Sequence, residues 1–116
     1  MTMTGAPRYK AALAALFVAF PGVSLAEKVA GLTLPDDARR IGENRYQVDR
    51  KYDEALKYFR TALPAGKYPR RPIADQPGVK AVHIENPDAK PGSWEGLNVY
   101  ELKGETRLFI LVKTKS

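Results

Sequence analysis

The stretch from Trp94 to Lys113, WEGLNVYELKGETRLFILVK, decides how this chain is read. It divides into two β-rich runs, Trp94–Leu102 and Thr106–Lys113, around Lys103-Gly104-Glu105, a short glycine-centred connection of the hairpin kind. In the first run Leu97 and Val99 alternate with Asn98 and Tyr100, so one face is apolar and the other mixed. In the second, Leu108, Ile110 and Val112 alternate with Phe109 and Leu111, and both faces are apolar. That pattern belongs to a strand in the middle of a sheet, or to one covered on both sides.

Working outward, Val79–Glu85 is a third strand, bounded by Pro77-Gly78 and Asn86-Pro87. Pro64–Gly78 reads as a loop, because Pro64, Pro69, Pro72 and Pro77 withhold backbone donors from helix or sheet pairing. Before it, Tyr52, Ala55, Leu56, Phe59, Ala62 and Leu63 recur at helical spacing as one apolar stripe. Asp49 is the expected N-cap, Asp53 and Glu54 favour the positive end of the helix dipole, and Pro64 and Gly66 close the segment. Ala38–Ile41 and Arg45–Val48 form a hairpin around Gly42-Glu43-Asn44, with Ile41, Tyr46 and Val48 inward. Glu27–Pro35 is an extended lead-in. The expected fold is a two-layer α+β arrangement of order β-β-α-β-β-β, one helix packed on an antiparallel sheet of four to five strands.

The N-terminal segment has a different grammar. Met1–Lys10 is polar and carries Arg8 and Lys10, Ala11–Leu25 is apolar and Ala-rich, and Ser24-Leu25-Ala26 places small residues around Leu25. These zones stand in the order of an export signal cleaved after Ala26, and the apolar run is shorter than the roughly 20 residues that span a bilayer. Residues 1–26 are therefore expected to be a signal peptide and 27–116 a single α+β domain, periplasmic or secreted. Loss of Arg8 and Lys10 leaves 17 Lys and Arg against 13 Asp and Glu, a net charge of +4. There is no Cys, so this small domain has to hold together by its core alone. A basic exported chain meets an envelope protein or an anionic envelope component, and nucleic acid is not its expected partner.

Leu34-Pro35, Arg45-Tyr46 and the helix segment Tyr52-Asp53-Glu54-Ala55-Leu56-Lys57-Tyr58-Phe59-Arg60 resemble a recurring pattern in an uncharacterised family of small exported bacterial proteins. Gln76-Pro77-Gly78-Val79-Lys80-Ala81-Val82-His83-Ile84 and Trp94-Glu95-Gly96-Leu97-Asn98-Val99-Tyr100-Glu101 fit the same group. The resemblance covers most of residues 32–112. It implies the export address and this fold, and it brings no activity with it.

Side chains for catalysis are sparse. His83 is the only histidine, and with no Cys a zinc site would need His83 with carboxylates such as Glu85 and Asp88. Ser93, in Pro91-Gly92-Ser93-Trp94, lacks the Gly-x-Ser-x-Gly elbow and reads as a turn residue. Asp36-Asp37 and Asp53-Glu54 are adjacent pairs whose side chains diverge on any regular element. Trp94 reads as core. The densest cluster is Lys67-Tyr68-Pro69-Arg70-Arg71, where cations and an aromatic share a proline-stiffened segment; Lys67, Tyr68, Arg70 and Arg71 are the candidate ligand-binding residues. No catalytic residue, metal or cofactor is expected.

The expected role is a non-enzymatic interaction or structural module. The alternatives are an anionic ligand or envelope-binding module using Lys67–Arg71, and an enzyme with an unconventional site at His83 with Glu85 or Asp88. N-terminal sequencing of the exported protein is expected to begin at Glu27; a start at Met1 or Met3 would contradict the signal reading.

Overall fold

A computed structural model describes residues 27–115. The signal segment and its cleavage point thus lie outside the described residues. In chain order the elements are β1 (Lys28–Val29), β2 (Leu32–Thr33), β3 (Ala38–Gly42), β4 (Arg45–Val48), α1 (Tyr52–Ala62), β5 (Arg70–Gln76), β6 (Val79–Glu85), β7 (Trp94–Leu102) and β8 (Glu105–Val112). The fold is α+β, with one helix on an antiparallel sheet. That sheet has six strands in the order β3-β4-β8-β7-β6-β5, and β1 pairs separately with β2.

The doubly apolar strand is central. β8 pairs with β4 on one side and β7 on the other, in registers that place Tyr46 beside Leu108 and Leu108 beside Val99, and Ile110 beside Leu97. The β7–β8 turn uses Lys103 at φ 54° and Gly104 at φ 80°. Two consecutive left-handed residues match the twist of the flanking strands, which is why glycine follows the strained Lys103.

The helix lies over one face of this sheet. Phe59 and Ala55 are fully buried, and Tyr52 and Leu63 nearly so; they meet Leu97, Val99, Leu108 and Ile110 in one cluster. Burying Phe59 contributes about 2–3 kcal/mol. The lead-in seals the cluster: Leu32 and Leu34 are buried, and the Trp94 amide donates to the Ala30 carbonyl at 3.0 Å. Arg50 ties this lead-in to the helix, with Nε donating to both oxygens of Asp37 at 3.1 and 2.9 Å and the guanidinium 5.6 Å over the Tyr58 ring. The Tyr58 hydroxyl in turn donates to the Thr33 carbonyl at 3.3 Å.

Several expectations are corrected. Residues 64–78 are not one loop, because Arg70–Gln76 forms β5 and raises the strand number of the sheet to six. β5 is an edge strand with a register shift between Pro72 and Ala74, a position where proline's missing donor is tolerated. The extended lead-in folds back as the β1–β2 pair, turning through Ala30 and Gly31, both at positive φ. Ile41 is 42 % exposed, because the bulge between Arg40 and Gly42 takes it out of the alternation that buries Tyr46 and Val48. Asp49 does not cap the helix. The chain needs Asp49 and Arg50 to leave β4, so Lys51 becomes the N-cap residue, without a side-chain hydrogen bond. Ala62 faces solvent while Leu63, just past the helix, is buried.

Three tyrosines at the rim of this core are held above their ordinary pKa. Burial is the main cause for each, joined at Tyr46 by the hydrogen bond to Glu27 (3.1 Å) and at Tyr52 by the charge of Asp75. A raised folded pKa means that the unfolded chain loses these protons first. Stability is then complete below the unfolded tyrosine value of about 10 and falls as pH rises through it. Urea midpoints measured from pH 8 to 11 are expected to drop steeply above pH 10. Tyr46→Phe combined with Tyr58→Phe is expected to flatten that drop.

Candidate binding surface

Because side chains alternate across the pleat, the residues between the core positions share the other face of the six-stranded sheet. The helix and the β1–β2 pair lie on the core side. On the open side the registers set Arg45, Phe109, Asn98, His83 and Arg71 in one row across β4, β8, β7, β6 and β5. At a strand spacing of about 4.8 Å, Arg45 and Arg71 stand roughly 19 Å apart at its ends. The adjacent row carries Arg39, Gln47, Arg107, Tyr100 and Ala81. The open face therefore carries Phe109 and Tyr100 with Arg39, Arg45, Arg71 and Arg107, and the same alternation puts Glu85 and Glu105 on it.

Local contacts fix these groups. The Arg45 guanidinium lies 5.2 Å over the Phe109 ring, a cation–π contact that holds it against the sheet. Arg107 donates through Nη2 to Glu105 at 2.6 Å, while its Nε is buried without an acceptor. His83 Nδ1 is 2.6 Å from Asn98 Oδ1, a hydrogen bond that ties the ring to β7. Gly96 accommodates that ring: a Cβ there would come within 2.8 Å of His83 Cε1 and 3.3 Å of Leu111 Cδ1. A concavity of about 570 Å³ opens at the Arg45 end of the sheet, lined by Ile41, Gly42, Glu43, Asn44, Arg45, Arg107 and Phe109.

The structure distributes the residues of the Lys67–Arg71 cluster among different tasks. Tyr68 stacks on Trp94 with centroids 5.6 Å apart and planes at 28°, and Trp94 is itself buried. Lys67 Nζ sits 5.5 Å over the Tyr68 ring. Arg70 turns back on the end of the helix, where Nη2 donates to the Leu63 and Tyr68 carbonyls. Arg71 falls in register with His83, at the end of the open-face row. Ser93 is in the turn before β7, its amide donating to the Lys90 carbonyl at 2.8 Å.

His83 is half-buried on a strand, and its side-chain partner is an amide instead of a carboxylate. Among the described residues no group of three His, Cys, Asp or Glu side chains converges as metal ligands would. Arg39, Arg45, Arg107 and Phe109 were not singled out by sequence reasoning. The alternation of Arg107, Phe109 and Leu111 signals their common face, but only the register across strands brings Arg45 and Arg71 to that face. No protein-family model, curated protein or solved structure matches the chain.

Gly96→Ala is expected to lower stability by about 1–2 kcal/mol, since the new methyl displaces His83 from Asn98. Most of that loss should vanish in a His83→Ala background, as measured by urea denaturation of the four members of the cycle. An additive cycle would show that the ring does not need the gap.

Proposed function

We propose that this protein is a non-enzymatic interaction module whose working surface is the open face of the six-stranded sheet. The observation that carries this reading is the placement of Arg39, Arg45, Arg71 and Arg107 around Phe109 and Tyr100 on the face opposite the helix. Guanidinium forks bind carboxylate and phosphate in two-point geometry, and aromatic rings offer flat area at a small entropic cost. A face of this breadth suits an extended anionic partner better than a small molecule, which could not reach from Arg45 to Arg71. The same charges argue against face-to-face stacking of two copies, because like guanidinium groups would be brought together in a poorly hydrated interface. For an exported chain such a partner is an anionic envelope component or an acidic envelope protein.

The test uses heparin as a generic polyanion. Arg39→Ala with Arg45→Ala is expected to elute at clearly lower salt than Lys51→Ala with Lys57→Ala, a control with the same net charge. Equal shifts would mean that retention follows total charge, and the open face would lose its special role.

A further inference from the structure

A second set of arginines lies on the helix side of β5, away from the Arg45 end of the open face. Where the core meets the sheet edge, a slot of about 140 Å³ is bounded by Leu56 and Arg60 of α1, Arg70 and Pro72 of β5, and Val82 of β6, with Arg71 at its rim. Leu56 and Val82 are half-buried and belong to the margin of the core. The wall is therefore apolar and the mouth cationic.

The charge here is uncompensated. Burial, and secondarily the positive charge of Arg60, push the Arg70 guanidinium below its ordinary pKa. Its Nη2 is satisfied by the Leu63 carbonyl at the helix end and the Tyr68 carbonyl just before β5, but its Nε is buried without an acceptor. Among the described residues the arginines in ion pairs are Arg50 and Arg107; none of Arg60, Arg70 or Arg71 has a carboxylate within 4.0 Å. Partial charges at the helix C-terminus offset only part of this. A buried donor with no acceptor is unfavourable, and a like-charged neighbour adds to that. An anion placed between Arg60 and Arg70 would offset the repulsion between the two guanidinium groups.

We propose that this slot binds a single amphiphilic anion, with a carboxylate or phosphate held by Arg60 and Arg70 and a short alkyl or aryl stem against Leu56, Pro72 and Val82. The site meets the open sheet face only at Arg71. Its volume takes a short apolar segment, so the ligand enters as one molecule and not as a membrane surface.

Isothermal titration with monomeric decanoate tests the proposal, with acetate, decanol and phosphatidylglycerol vesicles as comparison arms. Decanoate is expected to bind one to one, at least tenfold tighter than acetate or decanol. Arg60→Gln should weaken it about tenfold, the range of one charge-assisted hydrogen bond. Arg60 is exposed on the helix, so its replacement leaves the fold intact; Arg70→Gln would also remove the contacts to Leu63 and Tyr68 and serves only as a second variant. Arg39→Ala with Arg45→Ala should leave decanoate binding unchanged, which separates this site from the polyanion surface. Decanol binding as well as decanoate, an unchanged Arg60→Gln affinity, or binding to vesicles alone would each overturn the proposal.

Discussion

Leu108 and Ile110 are fully buried because β8 has a hydrogen-bonded neighbour on each side and a helix across one face. Every larger feature of the molecule follows from giving that strand its surroundings. β7 is fixed to it by a two-residue turn, so its register is local and inexpensive to find. β4 arrives from the other end of the domain and brings Tyr46 and Val48 onto the same face. The stripe of α1 then closes the cluster through Phe59, whose truncation would leave a cavity. With no disulfide and few residues, the domain has no second source of stability to set against a fault in this layer.

Placing β8 in the middle pushes the awkward strands to the margins. β3 and β5 are the edges, and each carries a register shift, at Arg40/Gly42 and at Pro72/Ala74. Bulges, arginines and proline are features that discourage an edge from pairing with another chain. Among the described residues no element covers the face opposite the helix, and the sequence does not make that face simply hydrophilic. Phe109 and Leu111 stay half-buried there among polar and cationic neighbours. A strand that is apolar on both sides therefore ends up with one side packed by the core and the other left to the sheet's own side chains.

What could be read from the chain divides along local and non-local lines. The helix was legible because Tyr52, Ala55 and Phe59 repeat within it, and the β7–β8 hairpin because Lys103-Gly104 demands a left-handed turn. β5 was hidden by Pro69 and Pro72, whose usual meaning is loop; it exists because pairing with β6 needs donors from only one of its sides. The helix start was misplaced by two residues since Asp49 is a good cap in composition but is spent in leaving β4. The binding face was the least legible of all. Arg45, Phe109, Asn98, His83 and Arg71 come from five strands, and no local pattern says that their positions align. Within Lys67–Arg71 the composition was visible, yet the division of labour was not, because Tyr68 and Arg70 are recruited by Trp94 and by the end of the helix.

The two surfaces proposed for binding share a physical signature that goes deeper than positive charge. The buried side-chain donors without an acceptor among the described residues are the Nε atoms of Arg70 and Arg107, one beside the helix-side slot and one on the open face. Folded proteins satisfy nearly all such groups. Elsewhere this chain follows the rule with care: Arg50 has both oxygens of Asp37, and Tyr46 has Glu27. The Leu63 and Tyr68 carbonyls fix the Arg70 guanidinium, and Glu105 fixes that of Arg107. A guanidinium anchored on one edge and free on the other has already lost most of its rotamer freedom, so an incoming anion meets a fork that is oriented before it arrives.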